Sequence, residues 1–300
     1  MPHDRPIAAA GAVFAAMFLL GLIDNTVVVI ARDLGLWQFH FMRAVIVVGL
    51  MGGMSALGLI HLRPNRRWAV ALRGGLAGFS MLIYFGCLAF MPIGQVAAGL
   101  FTAPIWVMLI GALFLGQPIG LTRLIAALVG FAGVLLVLNP FADGLDPVAV
   151  IPVTAGFFYA IGGIATREWC HGESTFSMLL YFFLSLGLFG LIGTTALTLF
   201  PQDAPLGPEG FILRALVWPT PLAMGLTLLQ AGGSMIAMGL IFRGYQLGEA
   251  SQVAIFEYSM LIFAAGWSFS LFGTTLEARA ALGMVLIIAS GILIAIRSRR

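Results

Sequence analysis

Asp24, Arg43 and Glu257 each fall inside a long apolar stretch of helical rather than alternating character. Arg43 lies about seven residues from one end of its stretch, roughly 10 Å deep at ~1.5 Å per residue. Asp24 lies about as far from the same surface. Glu257 is about nine residues in, roughly 13 Å, which is close to mid-membrane. Ionisable groups in hydrocarbon are costly, so each is a candidate functional residue. The chemistry such groups offer is the capture of charge or the carriage of a proton. An arginine presents a fork of donors to a carboxylate, and a carboxylate attracts an ammonium. Plainer roles stand beside these. Asp24 and Arg43 could form a structural ion pair, or Arg43 could snorkel outward. Glu257 must face a cavity, meet a partner side chain or be protonated, and it could be a neutral carboxyl hydrogen-bonded in packing.

Gln230, Tyr159, Thr102 and Trp106 fall at comparable depth. Tyr84 and Trp106 could form aromatic walls, although a chain with 24 Phe also needs rings simply to fill its core. Gln95 and Gln252 either line a pathway or cap their own helices. Pro104 removes a backbone hydrogen bond and frees a carbonyl nearby. With Gly232 and Gly233 it is a candidate bending point, and paired glycines equally permit close helix packing. Bond-breaking chemistry has no support. His3, His40, His61 and His171 are dispersed, with no His-Glu-x-x-His, no Gly-x-Ser-x-Gly and no metal-binding spacing of aspartates. Cys87 and Cys170 indicate neither a disulfide framework nor a metal site. An intramembrane enzyme is therefore disfavoured, and no cofactor is called for.

The elements that must position these residues are membrane helices. The chain is 61% hydrophobic and 9% charged with a mean hydropathy of +1.05, whereas soluble domains are about a quarter charged. Alternating ten-residue segments of a β-barrel are absent. Ten spans are expected at 7–30, 37–60, 68–91, 94–115, 119–138, 147–167, 175–199, 219–242, 248–271 and 278–296. The first reads as a retained helix rather than a signal peptide, because it runs on too long and shows no small-residue cleavage site. The longest connection, 200–218, could hold no soluble domain, so function must lie inside the bundle. The net charge of +3 comes from arginines scattered through short loops and is no nucleic-acid signal. No amphipathic pore-lining span repeats, which disfavours a channel.

Arginine counting orients the chain. With the N-terminus cytoplasmic, that side receives Arg5, Arg63, Arg66, Arg67, Arg73, Arg123, Arg167, Arg243, Arg297, Arg299 and Arg300, and the other only Arg32, Arg214 and Arg279. Both termini are then cytoplasmic. The run Leu88–Leu115 also has a counterpart later in the chain. Gly94 falls on Gly248, Gln95 on Glu249, and Ala103-Pro104 on Glu257-Tyr258. Two five-helix halves, 1–140 and 141–300, follow, joined by the acidic loop 139–147. An odd number of spans per half makes the repeat an inverted one. That build favours a midplane site where the halves meet and alternating access.

The pattern resembles the drug/metabolite transporter superfamily in its ten-helix EamA-type branch, over essentially the whole chain. The resemblance rests on the duplicated unit and on Ala103-Pro104-Ile105-Trp106. It rests also on Ala112-Leu-Phe-Leu-Gly116-Gln117 followed by Leu124 to Val134, and on Phe41-Met42-Arg43. It implies a bacterial inner-membrane carrier of small organic solutes, often an exporter. Helices one to four and six to nine would surround a central cavity, with five and ten at the periphery. Amino-acid exporters of the YddG type are the nearest members it suggests. Where the family has an acid after the fourth helix this chain has Gln117, and the second half has Gly273-Thr274-Thr275, so a role resting on that acid does not carry over. The expected cargo is an amino acid or related metabolite: Arg43 for a carboxylate, Glu257 for an ammonium, aromatics for the rest. A nucleobase, an adenosylated metabolite or a cationic drug is the alternative. The expected partners are that small molecule and the lipid bilayer, with no nucleic acid. Proton coupling and facilitative transport both fit, as do a monomer and a homodimer.

Overall fold

The computed structural model describes residues 5–87, 91, 93–117, 120–141, 148, 150–273 and 277–297. Most of the acidic joint between the halves, Thr274, Thr275, Arg299 and Arg300 lie outside them. The described chain is helical throughout: α1 Pro6–Ile23, α2 Val27–Asp33, α3 Leu36–Ala56, α4 Arg67–Cys87, α5 Ile93–Leu100, α6 Ala103–Leu115, α7 Leu121–Leu138, α8 Val150–Glu168, α9 Thr175–Leu199, α10 Pro221–Leu247, α11 Ala250–Phe256, α12 Ser259–Phe272 and α13 Ala278–Arg297. Three pairs are single spans broken in the middle. A 3-10 turn at Asp24–Thr26 joins α1 to α2, Phe101-Thr102 joins α5 to α6, and Glu257-Tyr258 joins α11 to α12. Among the described residues this makes ten helical spans, in two five-span repeats of opposite sense.

Helix starts follow local chemistry. Pro6, Pro104 and Pro221 sit in first turns, where a missing N–H costs nothing. Ser174 and Thr220 cap α9 and α10, accepting from Phe176 N and Ala223 N, each at 3.2 Å. The packing maps onto itself when the halves are exchanged. α1 lies on α10 as α8 lies on α4, and α1 on α12 as α8 on α5 and α6. α4 meets α9 as α10 meets α3, while the pairs α3–α9 and α7–α13 straddle the axis. At the last of these a Cβ on Gly133 would fall 2.6 Å from the Gly283 carbonyl oxygen, and the reverse is equally true. Only glycine lets two backbones meet so closely.

The repeat register differs from the sequence expectation by about one turn. Gly116 and Gly273 both end their helices in the left-handed region, at φ 63° and 65°. Pairing them sets Glu257-Tyr258 opposite Phe101-Thr102 to within a residue, not opposite Ala103-Pro104. Apolar runs align to one another at many offsets, and only the breaks and the left-handed glycines fix one. α10 runs unbroken through Gly232 and Gly233. Gly233 gives room to Ile23, whose Cδ1 would lie 2.9 Å from a Cβ there.

Both ends of the bundle are tied by polar contacts between halves. On the face bearing the N-terminus, the Glu173 carboxylate accepts from the backbone N–H groups of Asn65 and Arg66 at 2.8 and 2.5 Å. Within the second half, Gln246 donates to the Glu173 carbonyl and accepts from Thr175, which holds Glu173 in place. On the opposite face the α9–α10 connection lies against α2 and α3. Arg214 donates to the carbonyls of Ala31 and Leu34 at 2.8 and 2.9 Å. Trp37 donates to Ile212, Leu36 N to Phe211, and Gln38 exchanges two hydrogen bonds with Val217.

Candidate functional site

The broken spans and their neighbours surround a central cavity. Its walls come from both halves, and α7 and α13 contribute none of them. Most of the lining is apolar: Met17, Met81, Met238 and Met260, with Phe85, Phe101 and Phe182. Methionines form a polarizable and adaptable wall. Polar groups interrupt it at a few places, namely Asp24, Arg43, Tyr84, Tyr159, Gln230, Ser234 and Glu257.

Two polar clusters result. In the first, Arg43 is buried on α3 and its guanidinium lies 5.0 Å from the Phe39 ring centre, 5.6 Å from Phe85 and 5.9 Å from Phe183. His40, one turn earlier, meets Arg43 Nη2 through Nδ1 at 3.2 Å. Aromatic faces attract the cation without neutralising it, and Arg43 Nε has no hydrogen-bond partner. Asp24 interacts with Arg43 across the cavity but forms no ion pair with it. Instead Asp24 Oδ1 accepts from Gln230 Nε2 at 3.3 Å, and the same amide donates to the Ile23 carbonyl freed by the helix break at 3.1 Å.

The second cluster surrounds Glu257, which sits in the α11–α12 break and is buried. Tyr159 on α8 and Tyr245 on α10 approach its carboxyl. Even so, Glu257 Oε1, Tyr245 Oη and Tyr258 Oη are buried without hydrogen-bond partners. Orphaned polar atoms are costly and uncommon in folded proteins; of these three residues Glu257 lines the cavity, while Tyr245 and Tyr258 lie outside its lining. Behind the two tyrosines stands Arg73, within electrostatic reach of both. Its Nε donates to Thr166 Oγ1 at 2.9 Å, its guanidinium lies over the Phe242 ring at 3.5 Å, and its Nη1 is unpaired.

Of the residues singled out from sequence, Asp24, Arg43, Tyr84, Pro104, Tyr159, Gln230 and Glu257 meet at this cavity. Thr102 does not line it; its hydroxyl donates to the Gly99 carbonyl at 2.7 Å inside the α5–α6 break. Trp106 packs edge-on to Phe157 at 5.3 Å. Gln252 donates to Glu249 at 3.4 Å, next to the start of α11, and Gln95 is half-buried on α5 away from the cavity wall. Gly232 and Gly233 lie on α10 outside the lining. Arg73, counted from sequence among the loop arginines, is a buried cation on α4. His40 was within reach of sequence, since positions 39, 40 and 43 share one helical face with an aromatic and a cation. Tyr245 and Arg73 gave no such signal.

Comparison with known proteins gives one consistent picture. A model of the EamA-like transporter family matches twice, over residues 7–139 and 148–296. A riboflavin transporter of Vibrio cholerae is 29% identical over 82% of this chain and 78% of its own. An S-adenosylmethionine uptake transporter of Rickettsia conorii is 25% identical over 92% and 90%. A pseudopaline exporter of Pseudomonas aeruginosa is 24% identical over 73% and 72%. One crystal structure superimposes with a TM-score of 0.75 over 97% of this chain and 99% of that one, at 17% identity, a likeness of fold.

Proposed function

The chain belongs to the EamA-like transporter family and is a multi-pass small-molecule transporter; on that premise we propose that it exports amino acids or their derivatives across the bacterial inner membrane. The halves 1–140 and 141–300 would rock about the central cavity, with both termini in the cytoplasm. One observation carries the reading: a cation and a carboxylate, Arg43 and Glu257, stand on different walls of the same mostly apolar cavity, each with an unpaired polar atom. A zwitterion answers both, with its carboxylate at Arg43 and its ammonium at Glu257 between Tyr159 and Tyr245. The side chain would rest on the methionines and phenylalanines. Exchange of a proton for the cargo at Glu257 would couple transport to the proton gradient. The outward direction follows the resemblance to amino-acid exporters.

The second reading keeps the fold and changes the cargo. Four methionines, Tyr84, Phe85 and Phe182 make more apolar wall than a small amino acid covers. Riboflavin and S-adenosylmethionine, the cargoes named for two relatives, each join a heteroaromatic ring to a polar chain. The test is counterflow in proteoliposomes of purified protein, with labelled amino acids, riboflavin and S-adenosylmethionine offered separately. Exchange of amino acids that disappears in Glu257→Gln supports the first reading. Exchange confined to the heteroaromatic cargoes selects the second.

A further inference from the structure

A second cavity opens on the face that bears the N-terminus. It lies between the ends of α6 and α8 and the starts of α7 and α11. Unlike the central cavity it is strongly polar, carrying Gln117, Arg123, Arg167, Glu168, Glu249 and Ser251. Arg123 of the first half forms an ion pair with Glu249 of the second, both side chains about one-third exposed. A pair so exposed adds little stability and opens easily.

What separates this vestibule from the central cavity is a small apolar cluster distinct from the main core. It consists of Ala103 and Val107 on α6, Ala160 and Ile164 on α8, and Ala254 on α11, with Trp106, Ile110, Tyr159 and Ala250 packed against them. The two cavities touch it from opposite sides. Ala103 and Ala254 line the central cavity, while Val107, Ile164 and Ala250 line the vestibule. On each helix the inner and outer members are four residues apart, so the partition is about one helical turn thick, ~5.4 Å. The five side chains of the cluster are aliphatic, so packing alone holds them together.

The geometry points to the vestibule as a second binding site, a subsite that takes the charged ends of a small zwitterion between Arg123 and Glu249 before Val107 and Ile164 part to admit it. Two arginines and two glutamates offer paired partners to a molecule bearing both a carboxylate and an ammonium. A neutral solute would gain nothing by separating them. The cargo class rests on the reading above; the path from vestibule to cavity does not.

The test uses thiol labelling and needs no cargo, so its failure is separable from a wrong choice of cargo. In the full chain carrying Cys87→Ala and Cys170→Ala, a cysteine is placed at Ser251 in the vestibule or at Ala103 beyond the partition. The probe is the membrane-impermeant anion sulfonatoethyl methanethiosulfonate, applied to one face at a time. Ser251→Cys should react from the N-terminal face alone. Ala103→Cys should react slowly from that face, about tenfold faster once Ile164→Ala thins the partition, and below detection with Ile164→Phe. Should Ala103→Cys disturb folding, Ala254→Cys samples the same side from α11. Adding Arg123→Gln should slow Ser251→Cys labelling by the anionic reagent and not by its ethylammonium counterpart. The assignment is overturned if Ser251→Cys reacts from the other face, if Ile164 substitutions leave Ala103→Cys and Ala254→Cys labelling unchanged, or if Arg123→Gln slows both reagents alike.

Discussion

The two halves break the same span at nearly the same place and furnish the breaks differently. At the first break Thr102 closes its own bond to Gly99, and the turn is clamped by α8. A Cβ on Gly156 would fall 2.5 Å from Thr102 Oγ1 and 2.6 Å from the Gly99 carbonyl oxygen. At the second break stand Glu257 and Tyr258, each with a buried oxygen that has no partner. The other end of the cavity reverses the roles. Arg43 is the eighth residue of α3, and the eighth residue of α9 is Phe182; both face the cavity. Duplication supplied a symmetrical frame, while polar chemistry was distributed unevenly over it. The first half gives the cavity Asp24, Arg43 and Tyr84, the second Tyr159, Gln230, Ser234 and Glu257. A cargo bound there is oriented by that unevenness.

The contrast can be broken experimentally. The largest effect is expected at Glu257→Gln, where counterflow should fall about a hundredfold, the ~3 kcal/mol of hydrogen bonds to a charged group, with thermal stability held. Full activity in that variant would mean that the two breaks are functionally equal. Gly156→Val should do the opposite. It overpacks the first break at a cost of about 1–3 kcal/mol, seen as a lower unfolding temperature in detergent whatever the cargo. Arg43→Gln should weaken cargo affinity roughly tenfold, one charge-assisted hydrogen bond of ~1.5 kcal/mol, read as a raised KM in proteoliposomes, with Arg43→Lys recovering part of it. The smallest effect belongs to Thr102→Val. It removes one local bond worth ~1 kcal/mol and should leave transport rates within error, since the first break presents no polar side chain to the cavity. A Thr102→Val variant as inactive as Glu257→Gln would erase the difference between the two breaks.

The frame was legible because hydrocarbon admits few structures. Length and apolarity force the spans, and an odd number per half forces the inversion. Asp24, Arg43, Gln230 and Glu257 were legible for a related reason, as polar types in apolar runs have few places to point. Arg73 was not. It lies six positions after Arg67 near the start of α4, where arginines ordinarily meet headgroups, and only the packing of Phe242 over it reveals burial. Tyr245 near the end of α10 likewise resembles an ordinary interfacial aromatic. Thr102 and Trp106 stand outside the cavity lining. A register defined by featureless apolar residues cannot fix a face, and the repeat alignment slipped for that same reason.

The connection between α9 and α10 belongs to one half yet is fastened through Phe211, Ile212, Arg214 and Val217 to α2 and α3 of the other. Far-side motion therefore has to swing strap and α3 together as a stiff plate, or shear a whole row of hydrogen bonds in one stroke. A plate is cheap to tilt along its rim and expensive to tear.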